Sequence, residues 1–364
     1  MMKRAKWAVV AMGSALMAGA LGVMAQSAPV NAAPPAPPAQ PAQPEKEVAS
    51  VGVGSLTVDG LLQGWYQFTD GATPEDTFRL RRAEIRLSGE ITPTVPWSVM
   101  VDPAQVRDDD TRSSDINGTN YVTSVGRKSV LQDFLITFKT CPYSSVDVGQ
   151  YKVPFGMEGL ESSAKLDLIE RSMVSSLLRW ADYRDVGVTC KGDLSIGDVK
   201  IQPAVGIYNG EGQNRLDGNN AMAYAGRLVV KPVESVHLGV AHYSGERGVA
   251  ETDDNRTGVE AKITLAPVTV YGEYATGESD GKDKETYYAT VVCDLGDTCQ
   301  AVARYDWYDP DKDAADDAMD ETSVGLNHFI RKHNAKLAVN YVFRGEEGAS
   351  VDNDIVRVLA QVSF

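Results

Sequence analysis

Covalent chemistry requires a nucleophile within reach of a base, or a metal held by converging ligands. Asp and Ser are plentiful in this chain, yet no GxSxG, HExxH or glycine-rich phosphate loop organises them. The four histidines, His237, His242, His328 and His333, stand singly, which fits rim or wall residues better than ligands. Cys141, Cys190, Cys293 and Cys299 lack metal-ligand spacing. The acidic run Asp309 to Glu321 (DPDKDAADDAMDE) supplies oxygens of the kind calcium takes. It lacks the Gly and terminal Glu spacing of an EF-hand loop and reads as a solvated loop. The expectation is no enzyme, no cofactor and no metal site.

What the sequence offers instead is charge at regular spacing. Arg82, Glu84 and Arg86 alternate with Ala83, Ile85 and Leu87, so one side of an extended segment is ionic and the other apolar. A second group falls between residues 152 and 184: Lys152, Lys165, Arg171, Arg179 and Arg184, countered by Glu158, Glu161, Asp167, Glu170 and Asp182. Charges so arranged act by field and exclusion, setting which ions a watery path admits.

The elements that must position these groups are strands. Leu56, Val58, Gly60, Leu62, Gly64, Tyr66 and Phe68 share one parity, against Thr57, Asp59, Gln63, Gln67 and Thr69 on the other. The pattern recurs at Val259, Ala261, Ile263 and Leu265, and at Leu337, Val339, Tyr341 and Phe343. It predicts strands near 55–69, 77–91, 95–102, 130–139, 145–153, 184–192, 196–208 and 221–231. Eight more follow near 235–244, 256–266, 267–276, 284–293, 299–308, 321–331, 334–343 and 353–364. The fold class is thus all-β, a sixteen-stranded antiparallel transmembrane β-barrel with lipid on one face and water on the other. Arg on the lipid face costs about 2–4 kcal/mol at the midplane, which turns Arg82, Glu84 and Arg86 toward the lumen. The apolar parity slips at Arg81-Arg82, predicting a bulge there.

The N-terminal region frames this reading. Lys3, Arg4 and Lys6 precede an apolar run from Trp7 to Ala25, as in a cleaved signal peptide over 1–25. Residues 26–50 are a Pro/Ala-rich periplasmic linker that offers nothing to bury, and 51–364 form the barrel. Although 43% of the chain is apolar, no stretch in that last region is long enough for a membrane helix. A formal charge of −15, or −18 once the three leader cations leave, speaks against nucleic acid as a partner.

Connection lengths alternate as a barrel with a periplasmic N-terminus requires. Short links at 92–94, 140–144, 193–195, 232–234, 266–267, 294–298 and 332–333 alternate with long polar ones, among them 103–129, 154–183, 208–220, 245–255 and 309–320. Leu168, Ile169, Met173, Val174, Leu177 and Leu178 recur at helical spacing in the third long loop, predicting a short helix that folds inward and narrows the pore. The turn Asp294 to Thr298 would bring Cys293 to Cys299, and Cys141 falls near Cys190, so two disulfides at the periplasmic rim are expected. A barrel-borne hydrolase would need an outer-rim Ser or Asp brought to His242. The final strand, Val356, Val358, Ala360, Val362 and Phe364 opposite Arg357, Gln361 and Ser363, resembles the terminal strand read by the outer-membrane barrel-assembly machinery.

The segments FRLRRAEIRLSGEI (Phe78 to Ile91), GQYKVPFGMEGLESS (Gly149 to Ser163), IERS (Ile169 to Ser172) and RDVGV (Arg184 to Val188), with the strand ending at Phe364, resemble the phosphate-selective porin O and P family. The resemblance implies an outer-membrane porin, a homotrimer in lipid whose third loop lines a constriction for passive diffusion of small hydrophilic solutes or ions. In phosphate-selecting members a ladder of Arg and a cluster of Lys attract the anion. Arg79, Arg81, Arg82, Arg86, Arg127 and Lys128 would be their counterparts here. Asp108 to Asp110 and the run Asp309 to Glu321 would repel anions at the mouth, so a general pore and an anion pore both fit. The competing class is a structural or adhesive barrel with a blocked pore.

Overall fold

The computed structural model describes residues 54–106, 111–116, 119–124, 130–348 and 351–364. The leader, the Pro/Ala-rich segment, Asp108 to Asp110, Arg127 and Lys128 lie outside the described residues. Sixteen strands form one wall. The first eight are β1 (Thr57–Thr69), β2 (Asp76–Thr92), β3 (Val95–Val101), β4 (Leu131–Cys141), β5 (Ser144–Lys152), β6 (Arg184–Gly192), β7 (Val199–Tyr208) and β8 (Ala223–Lys231). The rest are β9 (Val236–Arg247), β10 (Thr252–Leu265), β11 (Val268–Ser279), β12 (Lys282–Asp294), β13 (Cys299–Asp309), β14 (Met319–Arg331), β15 (Ala335–Glu346) and β16 (Ile355–Ser363). Each strand pairs antiparallel with its chain neighbours, and β1 pairs β16 from Leu61↔Ser363 to Thr69↔Ile355, closing the ring. Closure leaves no edge of unpaired backbone groups, the condition for a sheet in lipid. A separate antiparallel pair, Thr111–Ile116 with Thr119–Ser124, decorates the connection after β3.

Alternation sorts the side chains as the sequence pattern requires. On β10, Val259 is 51% exposed on the outside while its neighbour Glu260 is 5% exposed on the inside. On β1, Val58 and Leu62 face out and Gln63 and Trp65 face in. The expected bulge is present: Gln63 pairs Arg82 and Gly64 pairs Leu80, so Arg81 is the extra residue. This one insertion lets Phe78 and Leu80 face outward before it, and Ile85 and Leu87 after it, with Arg82 inward.

Three expectations are corrected. The link after β6 does not turn at 193–195: Leu194–Ile196 still pairs with Val199–Ile201, and the turn falls at 197–198 with Gly197 at φ +60. The loop end is not uniformly long, because β9 and β10 run on to a four-residue link at 248–251, and β11 joins β12 through Asp280-Gly281. Both of those residues have φ near +60 to +70, the left-handed pair that suits the tight hairpin turn of twisted strands. Finally, the bore is not wet throughout. Tyr208, Tyr243, Tyr271 and Tyr288 point inward and pack with Phe155, Val174 and Trp180 of the segment between β5 and β6.

The four cysteines are free, against the expected pair of disulfides. Register gives the reason. Cys293 is opposite Ala301, so Cys299 sits two residues off along the neighbouring strand, a diagonal of about 7–8 Å. A disulfide spans Cα separations of less than about 7 Å. Cys141 is opposite Ser144 and Cys190 opposite Val146, which leaves the whole of β5 between them. Thiol titration in denaturant without reductant should count four thiols; two or none would show bridges that this register forbids. Val259→Arg, at the middle of β10, should lower folding stability in lipid vesicles by about 2–4 kcal/mol in a denaturant titration. An unchanged midpoint would remove Val259 from the lipid-facing side.

Candidate functional site

The segment 153–183 between β5 and β6 creates the site. It leaves β5 through Pro154 and Gly156, whose φ of +74 and lack of a side chain admit a close approach: a Cβ there would lie 2.7 Å from Glu273 Oε2 and 2.8 Å from Ala181 Cβ. A buried loop must find partners for its backbone groups, and inward side chains from around the ring supply them. Glu158 N donates to Glu273 Oε1 at 2.7 Å on β11, Met173 N to Asp306 Oδ1 at 3.1 Å on β13, and Ile169 N to Asn340 Oδ1 at 2.7 Å on β15. In return Asn327 Nδ2 donates to Asp167 O at 2.7 Å, Lys336 Nζ to Leu166 O at 2.6 Å and Gln361 Nε2 to Ala164 O at 2.9 Å. The predicted helix shrinks to one turn, Met173–Ser176, since these anchors hold the backbone extended before it. Leu168, Ile169, Met173 and Val174 are buried as expected, whereas Leu177 is exposed.

Half of the charges predicted to gather, Lys152, Arg171, Arg184, Glu170 and Asp182, do so in two knots, whereas Glu158 pairs with Arg304 and Asp167 accepts from Tyr271. Asp182 receives Lys152 Nζ at 2.8 Å, Arg171 Nε at 3.4 Å and Arg184 Nη1 at 3.5 Å, and Arg184 Nε reaches Asp133 at 2.7 Å. Glu170 receives Arg81 Nε at 2.7 Å. Burial by itself raises the Glu170 carboxyl, but Arg81 and Arg82 outweigh it, and the group titrates at about 2 instead of its ordinary 4.5. Asp182 is likewise held below the usual carboxylate range, its burial outweighed by Lys152, Arg171 and Arg184.

Beside these knots an open space of about 890 Å³ remains, bordered by Tyr183 of the aromatic cluster. Of the predicted residues, Arg82, Glu84, Glu170, Arg171, Arg179 and Arg184 line it. Arg86, Lys152 and Lys165 are not in its lining. Arg86 pairs with Asp133 at 3.3 Å, Lys152 donates to Gly159 O at 2.6 Å beneath the segment, and Lys165 is exposed on a short 3-10 turn. Arg79 and Arg81 join from β2, and four arginines enter that sequence reasoning did not single out as pore residues: Arg215, Arg247, Arg344 and Arg357. Parity on β16 places Arg357 inward and could have found it. Arg215 lies in the connection 209–222, where no period marks it; Gln150 fixes that connection by accepting Asn214 N at 2.6 Å. In all, ten arginines and five carboxylates face the space, and among the described residues no lysine does.

The flanking acidic run is partly neutralised by neighbours. Asp311 pairs with Lys282 at 3.1 Å, Lys312 with Glu285 at 2.9 Å and Glu321 with Arg344 at 2.7 Å. His242 Nδ1 lies 2.9 Å from Thr257 Oγ1 on the outward face, turned away from the bore.

A closed barrel with its third loop bonded to the inner wall and an arginine-lined opening can now be set beside known proteins. The sequence profile described as phosphate-selective porin O and P matches residues 62–267, more than half of the chain. The chain belongs to this family. It is an outer-membrane porin, and both family and fold are those of a channel. No curated protein matches it in sequence. Among solved structures it resembles OmpF of Salmonella typhi in complex with daunomycin, at 12% identity and a TM-score of 0.63 over 85% of this chain and 98% of that one. The anion-selective porin from Comamonas acidovorans aligns at 12% identity and TM-score 0.59 over 85% of this chain and all of the other. OmpT of Vibrio cholerae in its trimer form aligns at 9% and 0.55 over 86% and 100%. At these identities the likeness is one of fold.

The depressed Glu170 carboxyl gives a pH dependence with a defined sign. Its bond to Arg81 stabilises the inward segment fully above the ordinary carboxyl value of 4.5 and is lost as pH falls through about 2. The hold of the Glu170–Arg81 pair on the segment should therefore persist from neutral pH to about 4.5 and weaken only below it, read as single-channel conductance of the wild type against Glu170→Gln. Glu170→Gln should show the acid-state conductance already at neutral pH; a wild-type trace there would detach Glu170 from the segment's position.

Proposed function

We propose that this porin is an anion-preferring diffusion pore, with phosphate among the small hydrophilic solutes it admits. The observation that carries the reading is the lining: ten arginines against five carboxylates, in a chain whose formal charge is −15. A cavity with one dominant sign of charge, set between low-dielectric walls, concentrates counter-ions and speeds their entry. The segment 153–183 narrows the bore so that solutes pass the arginines at close range. Flux then depends on geometry and field, without a covalent step, which is why we assign no enzymatic activity.

The surroundings follow from the same reading. The outward apolar face meets outer-membrane lipid, and copies of the chain assemble as trimers, the form in which the Vibrio cholerae structure was solved. Residues 1–25 direct export, 26–50 tether a periplasmic N-terminus, and the strand ending at Phe364 engages the barrel-assembly machinery.

Planar bilayer recording tests the proposal. Stepwise conductance with a reversal potential on the anion side of a salt gradient is expected. The double variant Arg179→Ala, Arg357→Ala should move that potential toward cations, and Arg86→Ala should leave it nearly in place because Arg86 pairs with Asp133 outside the lining. A cation-side potential in the wild type would overturn the anion preference. Persistent silence from correctly folded barrels would favour the structural or adhesive alternative.

A further inference from the structure

Seven of the ten arginines of the vestibule fall into two banks, the others being Arg82 of β2 and Arg171 and Arg179 of the segment 153–183. Arg79 and Arg81 on β2, Arg344 on β15 and Arg357 on β16 form one bank, centred on Trp65 of β1. Three of these guanidinium carbons stand over the Trp65 ring, at 5.9 Å for Arg79, 5.6 Å for Arg81 and 5.7 Å for Arg357. Such stacking holds a flat cation in place while leaving donors free at its edge. Arg184 on β6, Arg215 between β7 and β8, and Arg247 at the end of β9 form a second bank. In a closed ring of sixteen strands, β15 through β2 and β6 through β9 lie on opposite sides. Gln67 belongs to the first bank, where it accepts Arg357 Nε at 3.1 Å, and Gln213 and Asn214 adjoin Arg215 in the second; between the banks the lining carries the amides Gln105 and Gln132.

Both banks keep a solvent-facing member. Arg79 and Arg215 are exposed, while Arg81 is engaged by Glu170 at 2.7 Å and Arg247 by Asp254 at 2.8 Å. Arginine presents a planar fork that matches a carboxylate with two parallel bonds, which a point charge such as lysine does not. The volume of about 890 Å³ is of the size that encloses a small organic molecule. A single inorganic anion meets one bank at a time. A molecule with a carboxylate at each end can engage both, and the second contact is then intramolecular.

We propose that the vestibule is a recognition site for organic dianions whose two carboxylates stand apart, one held by each bank. This rests on the anion-pore reading and adds the class of solute that dwells longest. The probes are terephthalate, benzoate and inorganic phosphate, each added to single channels carrying chloride current. Half-block by terephthalate should need at least about tenfold less than half-block by benzoate, the gain expected when a second contact becomes intramolecular. Arg79→Gln and Arg215→Gln, one from each bank and both solvent-facing, should each bring the two concentrations together, with barrel folding checked by heat-modifiable migration. Equal block by terephthalate and benzoate, phosphate as potent as terephthalate, or a ratio that survives both variants would overturn the inference. Anion selectivity without dicarboxylate discrimination sinks this inference alone, whereas a cation-side reversal potential sinks the pore reading beneath it.

Discussion

Every backbone N–H and C=O of this chain that enters lipid must be paired within the protein, because hydrocarbon offers no partner. The β1–β16 seam from Leu61↔Ser363 to Thr69↔Ile355 meets that demand by removing the two edges an open sheet would leave. Once the ring is closed, the period of two along each strand divides side chains between lipid and bore. Val259 beside Glu260, and Leu62 beside Gln63, are the same rule at different points of the wall.

The same accounting governs the inside. A segment of some thirty residues placed against the inner wall brings its own backbone groups, and inward polar residues from β11, β13, β14, β15 and β16 pair with them. Glu273, Asp306, Asn327, Lys336, Asn340 and Gln361 thus hold a loop, and are not bare surfaces of an aqueous channel. On the remaining side of the segment, Tyr208, Tyr243, Tyr271 and Tyr288 close over Phe155 and Trp180, and Arg256 sits 4.0 Å above the Tyr243 ring. These side chains fill part of the bore, and an open space of about 890 Å³ lies beside the segment.

On the proposed reading, this is how a strongly acidic protein can offer a path for anions. Net charge describes the whole chain and its solubility, whereas selection is set by the groups within a screening length of the solute, about 8–10 Å at ordinary ionic strength. Carboxylates at the loop end are partly matched by Lys282, Lys312 and Arg344, and within the segment Asp182 is met by three cations, Lys152, Arg171 and Arg184, while Glu170 is met by Arg81. The lining keeps an excess of guanidinium charge for whatever enters.

Strand positions, strand number, the bulge at Arg81 and the facing of Arg82 and Glu84 were legible in the residues alone. They follow from a short-range rule, the alternation that a wall between oil and water imposes, and such a rule leaves its mark locally. Register across strands is not local, and so the spacing of Cys293 and Cys299 suggested a bridge that their diagonal placement denies. Nor does alternation say what an inward side chain will meet. Parity placed Arg86 in the bore, but only the tertiary structure paired it with Asp133 outside the lining, and Lys152, expected at the constriction, instead donates to Gly159 O and pairs with Asp182. The facing of Arg79 and Arg357 toward Arg215 and Arg247 is likewise a product of ring closure, which sets residues far apart in the chain on opposite walls of one space.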